Sequence, residues 1–227
     1  MSVHCGPNVV TDKLELYVDG NNEKSYSRFG SNKWGDISNK GHHFDMWGTL
    51  NKDSVSYILP GTITNYFSTE DFMLASEELS VEMWIYPELQ NANDAFYNFT
   101  SDLMVVRHAM YDHSNIRLTG PVGSITTGIG IPNNTWSHVV RTSKRSSGVE
   151  MLYINGIQQF VGVLAPNVNF NPEGFVLLGQ FMNTNGVLNP TNSFKGKLSI
   201  FKMYSKELSS AEIQQNYNAI KGRFDLT

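Results

Sequence analysis

The chain is built from short apolar segments that alternate with polar clusters rich in glycine, asparagine and proline. In LSVEMWI (79–85), aliphatic residues occupy every second position, and Glu82 and Trp84 occupy positions between them. Successive side chains of a β-strand point to opposite faces of its sheet. This period of two therefore predicts a strand with one buried aliphatic face and one half-covered aromatic face.

Similar segments recur along the chain, and no stretch shows strands that alternate regularly with helices. The pattern therefore predicts a many-stranded antiparallel protein rather than a parallel sheet. Asn155-Gly156 indicates a two-residue turn, because both positions tolerate a positive φ. The predicted strands are residues 14–19, 54–59, 79–87, 102–110, 136–143, 149–156, 175–180 and 197–204.

One helix is predicted near the end of the chain, in LSSAEIQQNYNAIKGRF. Ser209 and Glu212 have the spacing of a capping box, and Leu208 and Ile213 that of a hydrophobic staple. Gly222 stands where a left-handed C-terminal residue is expected. The apolar stripe that would pack on the sheet consists of Ile213, Tyr217 and Ile220.

The 227-residue chain contains no internal repeat, low-complexity tract or linker that would divide it. All-β sequences of this length often form one sandwich. We therefore predict an N-terminal arm at residues 1–12 and a single antiparallel β-sandwich domain at residues 13–227, with one short C-terminal helix.

The charge balance argues against several classes of partner. The formal net charge is −4 and only 17% of residues are charged, so the chain lacks the excess of positive charge that attracts nucleic acid. No apolar run approaches the roughly 20 residues of a membrane-spanning helix. The N-terminus MSVHCGPNVV lacks a cationic region followed by an apolar core, so we expect synthesis in a cytoplasm without a secretory signal.

The order of the motifs LSVEMWIYP, NTWSHVVRT, LYING and FVLLGQ resembles the laminin-G-like, concanavalin-A-like lectin/glucanase family. The resemblance covers roughly residues 13–224 and implies a jelly-roll sandwich. The C-terminal family pattern is carried by Gly196, Leu198, Tyr204, Leu208, Ser209, Glu212 and Ile213.

The front of the chain is similar to structural proteins of T4-like, often marine, tailed phages. The matching residues are Tyr17, Asp19, Ser25, Tyr26, Trp34, Asp36 and Ser38. This resemblance implies a virion protein, displayed as a capsid decoration or as a tail or fibre component. It would be made in the host cytoplasm and work in an assembly with other virion proteins, with host surface glycans as further ligands. The alternatives are a free carbohydrate-binding module and a degenerate glucanase.

The glucanase alternative requires a Glu-x-Asp-x-x-Glu strand that holds two carboxylates about 5 Å apart. The nearest match is Glu82 with Glu88, which lacks the central aspartate and is interrupted by Pro87. We therefore predict that the protein is not an enzyme.

Two short histidine–aspartate clusters contain residue types that bind transition metals. Such a site needs three or four side chains that converge on one point, and nothing in the sequence indicates that either cluster converges in this way. We expect no cofactor, although the resemblance allows a calcium ion at the rim of the sandwich. The clusters are His42, His43 and Asp45, and His108, Asp112 and His113.

Glycan sites in sandwiches combine an aromatic platform with side chains that hydrogen-bond hydroxyl groups. Two loops offer that combination, although asparagine also serves turns by tolerating a left-handed backbone. Three aromatic residues, Phe29, Trp34 and Trp47, are candidates for attachment to a particle unless they are buried in the core. The glycan-binding candidates are Tyr111, Asp112, Asn115, Phe181, Asn183, Asn185 and Asn192.

Overall fold

The computed structural model describes residues 8–26, 32–69, 72–74, 76–88, 93–100, 106–167, 173–182 and 187–226. The helices are α1 (Glu23–Tyr26) and α2 (Ser210–Ile220), with 3-10 turns at Pro190–Asn192 and Lys221–Phe224. The strands are β1 (Leu14–Asp19), β2 (Lys33–Trp34), β3 (Phe44–Trp47), β4 (Asn51–Lys52), β5 (Tyr57–Pro60), β6 (Tyr66–Thr69), β7 (Phe72–Met73), β8 (Glu78–Pro87), β9 (Ala95–Thr100), β10 (Val106–Tyr111), β11 (Arg117–Gly120), β12 (Gly123–Thr126), β13 (Ser137–Lys144), β14 (Val149–Ile154), β15 (Ile157–Val163), β16 (Glu173–Leu178) and β17 (Lys195–Tyr204). None of the helices in these ranges is long and apolar enough to cross a membrane.

The strands form two antiparallel sheets that pack face to face. Sheet A has eight strands in the order β15-β14-β13-β8-β17-β5-β4, and β1 also pairs with β17. Sheet B has nine strands in the order β12-β11-β10-β9-β16-β6-β3-β2, and β7 also pairs with β16. The largest apolar cluster contains inward-facing residues of both sheets. The predicted antiparallel sandwich of jelly-roll type, with one short C-terminal helix, is thus confirmed.

Strand bounds differ from the prediction where local hydrogen bonds form a turn. Residues 54–56 do not join β5, because the Asp53 carboxylate accepts the backbone N–H groups of Val55 and Ser56. Likewise β14 ends before Asn155-Gly156, whose φ angles of 51° and 79° confirm the predicted turn. Of the strand predicted at 102–110, residues 102–105 lie outside the described ranges.

The outer face of sheet A is covered around Trp84, which corrects the half-covered aromatic face predicted for this part of β8. Trp84 is fully buried, with its ring 5.8 Å from Tyr217 of α2 and 4.6 Å from Phe224. Trp136 also packs on Phe224, at 4.4 Å between ring centroids. The C-terminal segment therefore closes a second apolar layer over this sheet.

Helix α2 begins with the predicted capping box. The Ser209 hydroxyl accepts the Glu212 backbone N–H, and the Glu212 carboxylate accepts that of Ser209. The C-terminal prediction was wrong, because Gly222 lies within the 3-10 turn and Asp225 is the left-handed residue, with φ 55°. The chain continues through this extra turn, which places the Phe224 side chain against Trp84.

Candidate functional site

Five neighbouring strands of sheet B each have one end at the same rim of the sandwich. We call this row of strand ends the edge of sheet B. The register pairs Tyr111 of β10 with Ala95 of β9, and Leu178 of β16 with both Tyr97 of β9 and Phe67 of β6. The next pair is Tyr66 of β6 with Trp47 of β3. The end of β10, the start of β9, the end of β16, the start of β6 and the end of β3 therefore lie side by side.

Two of the predicted glycan-binding residues meet at this edge. The rings of Tyr111 and Phe181 lie 5.8 Å apart, although the two residues are far apart in sequence. Arg117, the cross-strand neighbour of Tyr111, lies 5.4 Å from the Tyr111 ring, and its Nη1 donates to the Tyr111 hydroxyl at 3.3 Å. Both aromatic side chains are half-buried. We call this group the Tyr111 cluster.

Polar side chains follow Tyr111 in the turn before β11. Asp112 has a φ of 65°, and its Oδ1 accepts the hydroxyl of Ser114 and the backbone N–H of Asn115. The exposed Asn115 accepts the Gly128 backbone N–H through its Oδ1, and none of the described hydrogen bonds uses its Nδ2 group. The Asn115 amide group is thus the polar side chain of this turn that is best placed to meet a ligand.

The remaining candidates belong to the loop of residues 179–194. Asn192 is 8% exposed, and its Nδ2 donates to the backbone oxygen of Asn93 at 2.7 Å. Asn192 therefore attaches the loop to the segment before β9. Asn183 and Asn185 lie outside the described residues.

A buried histidine–aspartate contact supports the turn that follows Tyr111. The His113 ring Nδ1 lies 2.9 Å from the carboxylate of the fully buried Asp94, which also accepts the His113 backbone N–H. The hydrogen bond to Asp94 raises the pKa of His113, and desolvation opposes that shift. The Asp94 backbone oxygen accepts the N–H of Asp112, so the turn is fixed to the segment before β9.

A second aromatic group lies at the same edge, on β3 and β6. Trp47 is 50% exposed, and its ring is nearly parallel to that of Tyr66, at 5.7 Å and 11°. Its Nε1 donates to the Ser68 hydroxyl at 2.8 Å, which fixes the orientation of the ring. Beside the pair is an open recess of about 470 Å³ lined also by Gly48, Ile63, Thr64 and Leu188. We call this group the Trp47 platform.

From the sequence, Trp47 was only an attachment candidate, and Tyr66 was not a candidate. The sequence feature that could have identified Trp47 as an outward-facing residue is the alternation in β3. Phe44 and Met46 pack against the central core, so Trp47 points outward. Of the other two attachment candidates, Trp34 is fully buried, 4.8 Å from the Tyr57 ring, and Phe29 lies outside the described residues.

The rim of the recess is held by hydrogen bonds. The Asn65 side chain accepts the hydroxyl groups of Thr62 and Thr64, and its Nδ2 donates to the Thr49 backbone oxygen at 2.6 Å. A β-carbon on Gly48, which has a φ of 70°, would lie 2.6 Å from the Thr64 backbone oxygen. The two loops that form this rim are therefore closely packed before any ligand arrives.

The carboxylates considered for catalysis do not form a pair. Glu82 is fully buried beneath α2, where its Oε1 lies 2.8 Å from Lys202 Nζ and its Oε2 accepts a hydrogen bond from Asn216. Glu88 lies six residues further along the chain, which corresponds to about 20 Å of extended backbone. It pairs with Lys195 at 3.6 Å.

Neither histidine–aspartate cluster forms a group of metal ligands. His43 accepts the Asp36 backbone N–H, and Asp45 forms an ion pair with Lys33 at 2.8 Å. His108 is buried between Tyr97 and Ser143, whereas His113 pairs with Asp94. Within the described ranges, no group of three or more His, Cys, Asp or Glu side chains could hold a metal ion.

Two antiparallel sheets with an exposed aromatic edge on the outer face define a lectin-like β-sandwich. The chain belongs to the concanavalin A-like lectin/glucanases superfamily, whose family model matches residues 60–214. No curated protein matches the sequence.

Solved structures share the fold at low sequence identity. Domain 4 of AbnA, a GH43 extracellular arabinanase from Geobacillus stearothermophilus solved in complex with arabinotriose, is 17% identical with a TM-score of 0.64, over 90% of this chain and 98% of that one. The binding domain of botulinum neurotoxin DC in complex with SialylT is 14% identical with a TM-score of 0.69, over 93% of this chain and 52% of that one. A structure of botulinum neurotoxin type C, whose cell entry depends on two ganglioside molecules, is 14% identical with a TM-score of 0.68, again over 93% and 52%. The chain thus spans about half the length of these toxin chains.

Proposed function

We propose that this protein is a non-enzymatic carbohydrate-binding protein whose glycan site is the Tyr111 cluster. The observation that carries the proposal is the meeting of Tyr111 and Phe181, 5.8 Å apart, beside the polar turn of Asp112 and Asn115. Sugar rings present apolar C–H faces and a belt of hydroxyl groups. The paired aromatic rings beside the exposed Asn115 amide group match both features.

The comparisons support this proposal through proteins that bind sugars on the same fold. The arabinanase domain, which this chain matches over 98% of its length, was solved with a bound trisaccharide. This chain also matches about half of two botulinum neurotoxin chains, one a binding domain solved in complex with SialylT and the other from type C, whose cell entry depends on two ganglioside molecules. The absence of hydrolytic activity is part of the proposal, because Glu82 is buried in an ion pair and Glu88 is too distant to act with it.

Glycan-array binding followed by isothermal titration calorimetry tests the proposal. The array should include arabinan fragments and sialylated glycans, and we expect Tyr111→Ala and Phe181→Ala each to weaken binding of the best ligand about tenfold or more. Tyr86→Ala is the matched control, because Tyr86 is a half-buried tyrosine in the other sheet, near the end of the central strand β8 and against Trp136. Binding should survive a chelator, since the proposed contacts require no metal.

The absence of any binding on the array would contradict the proposal, as would equal binding by the wild type and both site variants. Release of reducing sugar from a bound polysaccharide, lost in Glu82→Gln or Glu88→Gln, would favour the glucanase alternative instead.

We further propose that the domain is displayed on a virion, as a capsid decoration or a tail or fibre component. The supporting observation is the front motif, whose conformation is fixed by its own polar residues. Asp36 accepts the backbone N–H groups of Tyr17 and Ser38, and the Ser25 hydroxyl accepts that of Asp19. The phage-like segment is thus an integrated part of this sandwich rather than a loose tail.

Antibody labelling of intact particles in the electron microscope tests the virion proposal. We expect label at regular positions on purified virions. Virions without label, with the protein found only in the soluble lysate, would contradict display on the particle. That result would favour the alternative of a free carbohydrate-binding module.

A further inference from the structure

The Tyr111 cluster and the Trp47 platform lie on one face and one edge of the same sheet. We infer that they form a single extended site that binds a linear, uncharged oligosaccharide across the ends of the intervening strands. This inference rests on the proposed carbohydrate-binding function and specifies its ligand as a chain rather than a single terminal sugar.

Side-chain alternation places both groups on the outer face. Met46 of β3 packs against the central core, so Trp47, which follows it, faces outward. Tyr111 pairs with Arg117 of β11, whose neighbour Leu118 belongs to the core, so Tyr111 and Arg117 face outward as well. Four strand spacings separate β3 from β10 in the order of sheet B, which corresponds to about 19 Å. That span exceeds one sugar ring, so only a chain of several residues can contact both groups.

Described residues on either side of the segment 183–186 contact the two groups. Phe181 belongs to the Tyr111 cluster, and Leu188 lines the recess of the Trp47 platform. The two sides of the loop are paired through a bridge between Met182 and Leu188. The loop is also bound to the sheet, because the Asn98 side chain donates to the Met182 backbone oxygen at 3.1 Å.

The chemistry of the Trp47 platform favours an uncharged chain. Lys33 and Asp45, on β2 and β3 beside it, neutralise each other as an ion pair at 2.8 Å. The recess itself is lined by uncharged residues, most of them aromatic or aliphatic. A half-exposed tryptophan fixed by Ser68 therefore offers a sugar ring a platform whose orientation is set in advance.

Calorimetry with arabino-oligosaccharides from the disaccharide to the hexasaccharide tests the inference. For the wild type we expect affinity to continue rising beyond the trisaccharide. Trp47→Ala should leave the trisaccharide affinity within twofold and lower the hexasaccharide affinity about tenfold, because only the longer chain reaches the platform. Trp47→Phe should restore part of the loss, and Tyr111→Ala should weaken binding of every length.

Matched controls distinguish a loss of oligosaccharide binding in Trp47→Ala from a loss of folding or of self-association. Ile157→Ala removes another large exposed apolar side chain, 62% exposed on the edge strand of sheet A, and should leave the length series unchanged. Thermal unfolding of Trp47→Ala should show an intact fold. If the wild type binds the trisaccharide through Tyr111 but Trp47→Ala matches it at every length, the extended site is wrong and the proposed function stands.

Two other outcomes also have definite meanings. If no length binds and the glycan array is empty, the proposed function itself fails, and the extended site fails with it. If sedimentation shows that Trp47→Ala dissociates an oligomer while the length series is unchanged, the platform is a protein contact and the inference is overturned.

Discussion

At the scale of single residues, the most consequential group is the buried carboxylate of Glu82. It lies between Lys202 and His138, with His138 Nε2 at 3.2 Å, and beneath Asn216 of α2. Burial raises the pKa of Glu82, but the charge of Lys202 and the adjacent His138 ring outweigh that effect and lower the pKa to about 2. The ionised carboxylate is therefore a structural element that anchors the helix to sheet A.

The low pKa of Glu82 predicts a specific loss of stability in acid. A glutamate in the unfolded chain has an ordinary pKa of 4.5, so the contribution of Glu82 is complete above that pH and is lost as the pH falls toward 2. Glu82→Gln should lower the free energy of unfolding at pH 7 by about 3–5 kcal/mol, because it leaves Lys202 buried without its counter-charge. Its stability should also depend less on pH between 4.5 and 2, as measured by urea unfolding.

The matched control for this prediction is Glu88→Gln. Glu88 forms a partly exposed pair with Lys195, so its loss should change stability by about 1 kcal/mol or less. Equal stability of Glu82→Gln and the wild type at pH 7 would show that the buried pair does not stabilise the fold.

At the scale of elements, α2 combines a local capping signal with tertiary packing. Ser209 caps the helix, and Ile213 is fully buried beside Leu208 and Val140. Ser209→Ala should lower the free energy of unfolding by about 1 kcal/mol, and Ile213→Ala by about 2–4 kcal/mol. Thermal or urea unfolding measures both, and an unchanged transition for Ile213→Ala would mean that the helix is not docked on the sheet in solution.

The same elements show what the sequence could predict. Strands such as β1 and β8 were found within a residue of their observed bounds, because alternation and turn residues are local signals. The cap of α2 was equally local. Gly222 was misassigned because the burial of Phe224 against Trp84, which depends on the tertiary fold, extends the chain by one more turn.

The candidate site was harder to predict, because its parts meet through strand order. Tyr111 and Phe181 were both named, but only the register of β10, β9 and β16 shows that they lie together. Tyr66 was missed because nothing in its own segment distinguishes an outward-facing aromatic residue from a buried one. Its partnership with Trp47 follows from the pairing of β6 with β3.

At the scale of the whole molecule, one large apolar cluster joins the two sheets, and the C-terminal helix closes the outer face of sheet A. We predict that the protein unfolds in one cooperative transition, because sheet A, sheet B and α2 share these contacts. Urea unfolding should give coincident curves by circular dichroism and tryptophan fluorescence. Two resolved transitions would contradict a single unit of folding.

Glycan binding at the edge of sheet B, where Tyr111 and Phe181 meet, can be observed residue by residue. Amide chemical-shift mapping does this, with the protein titrated by the oligosaccharide that binds best on the array. We predict shifts concentrated in β10, in the turn around Asn115 and at Phe181, and reduced by Tyr111→Ala. Shifts confined to sheet A or to the covered face beneath α2 would contradict it.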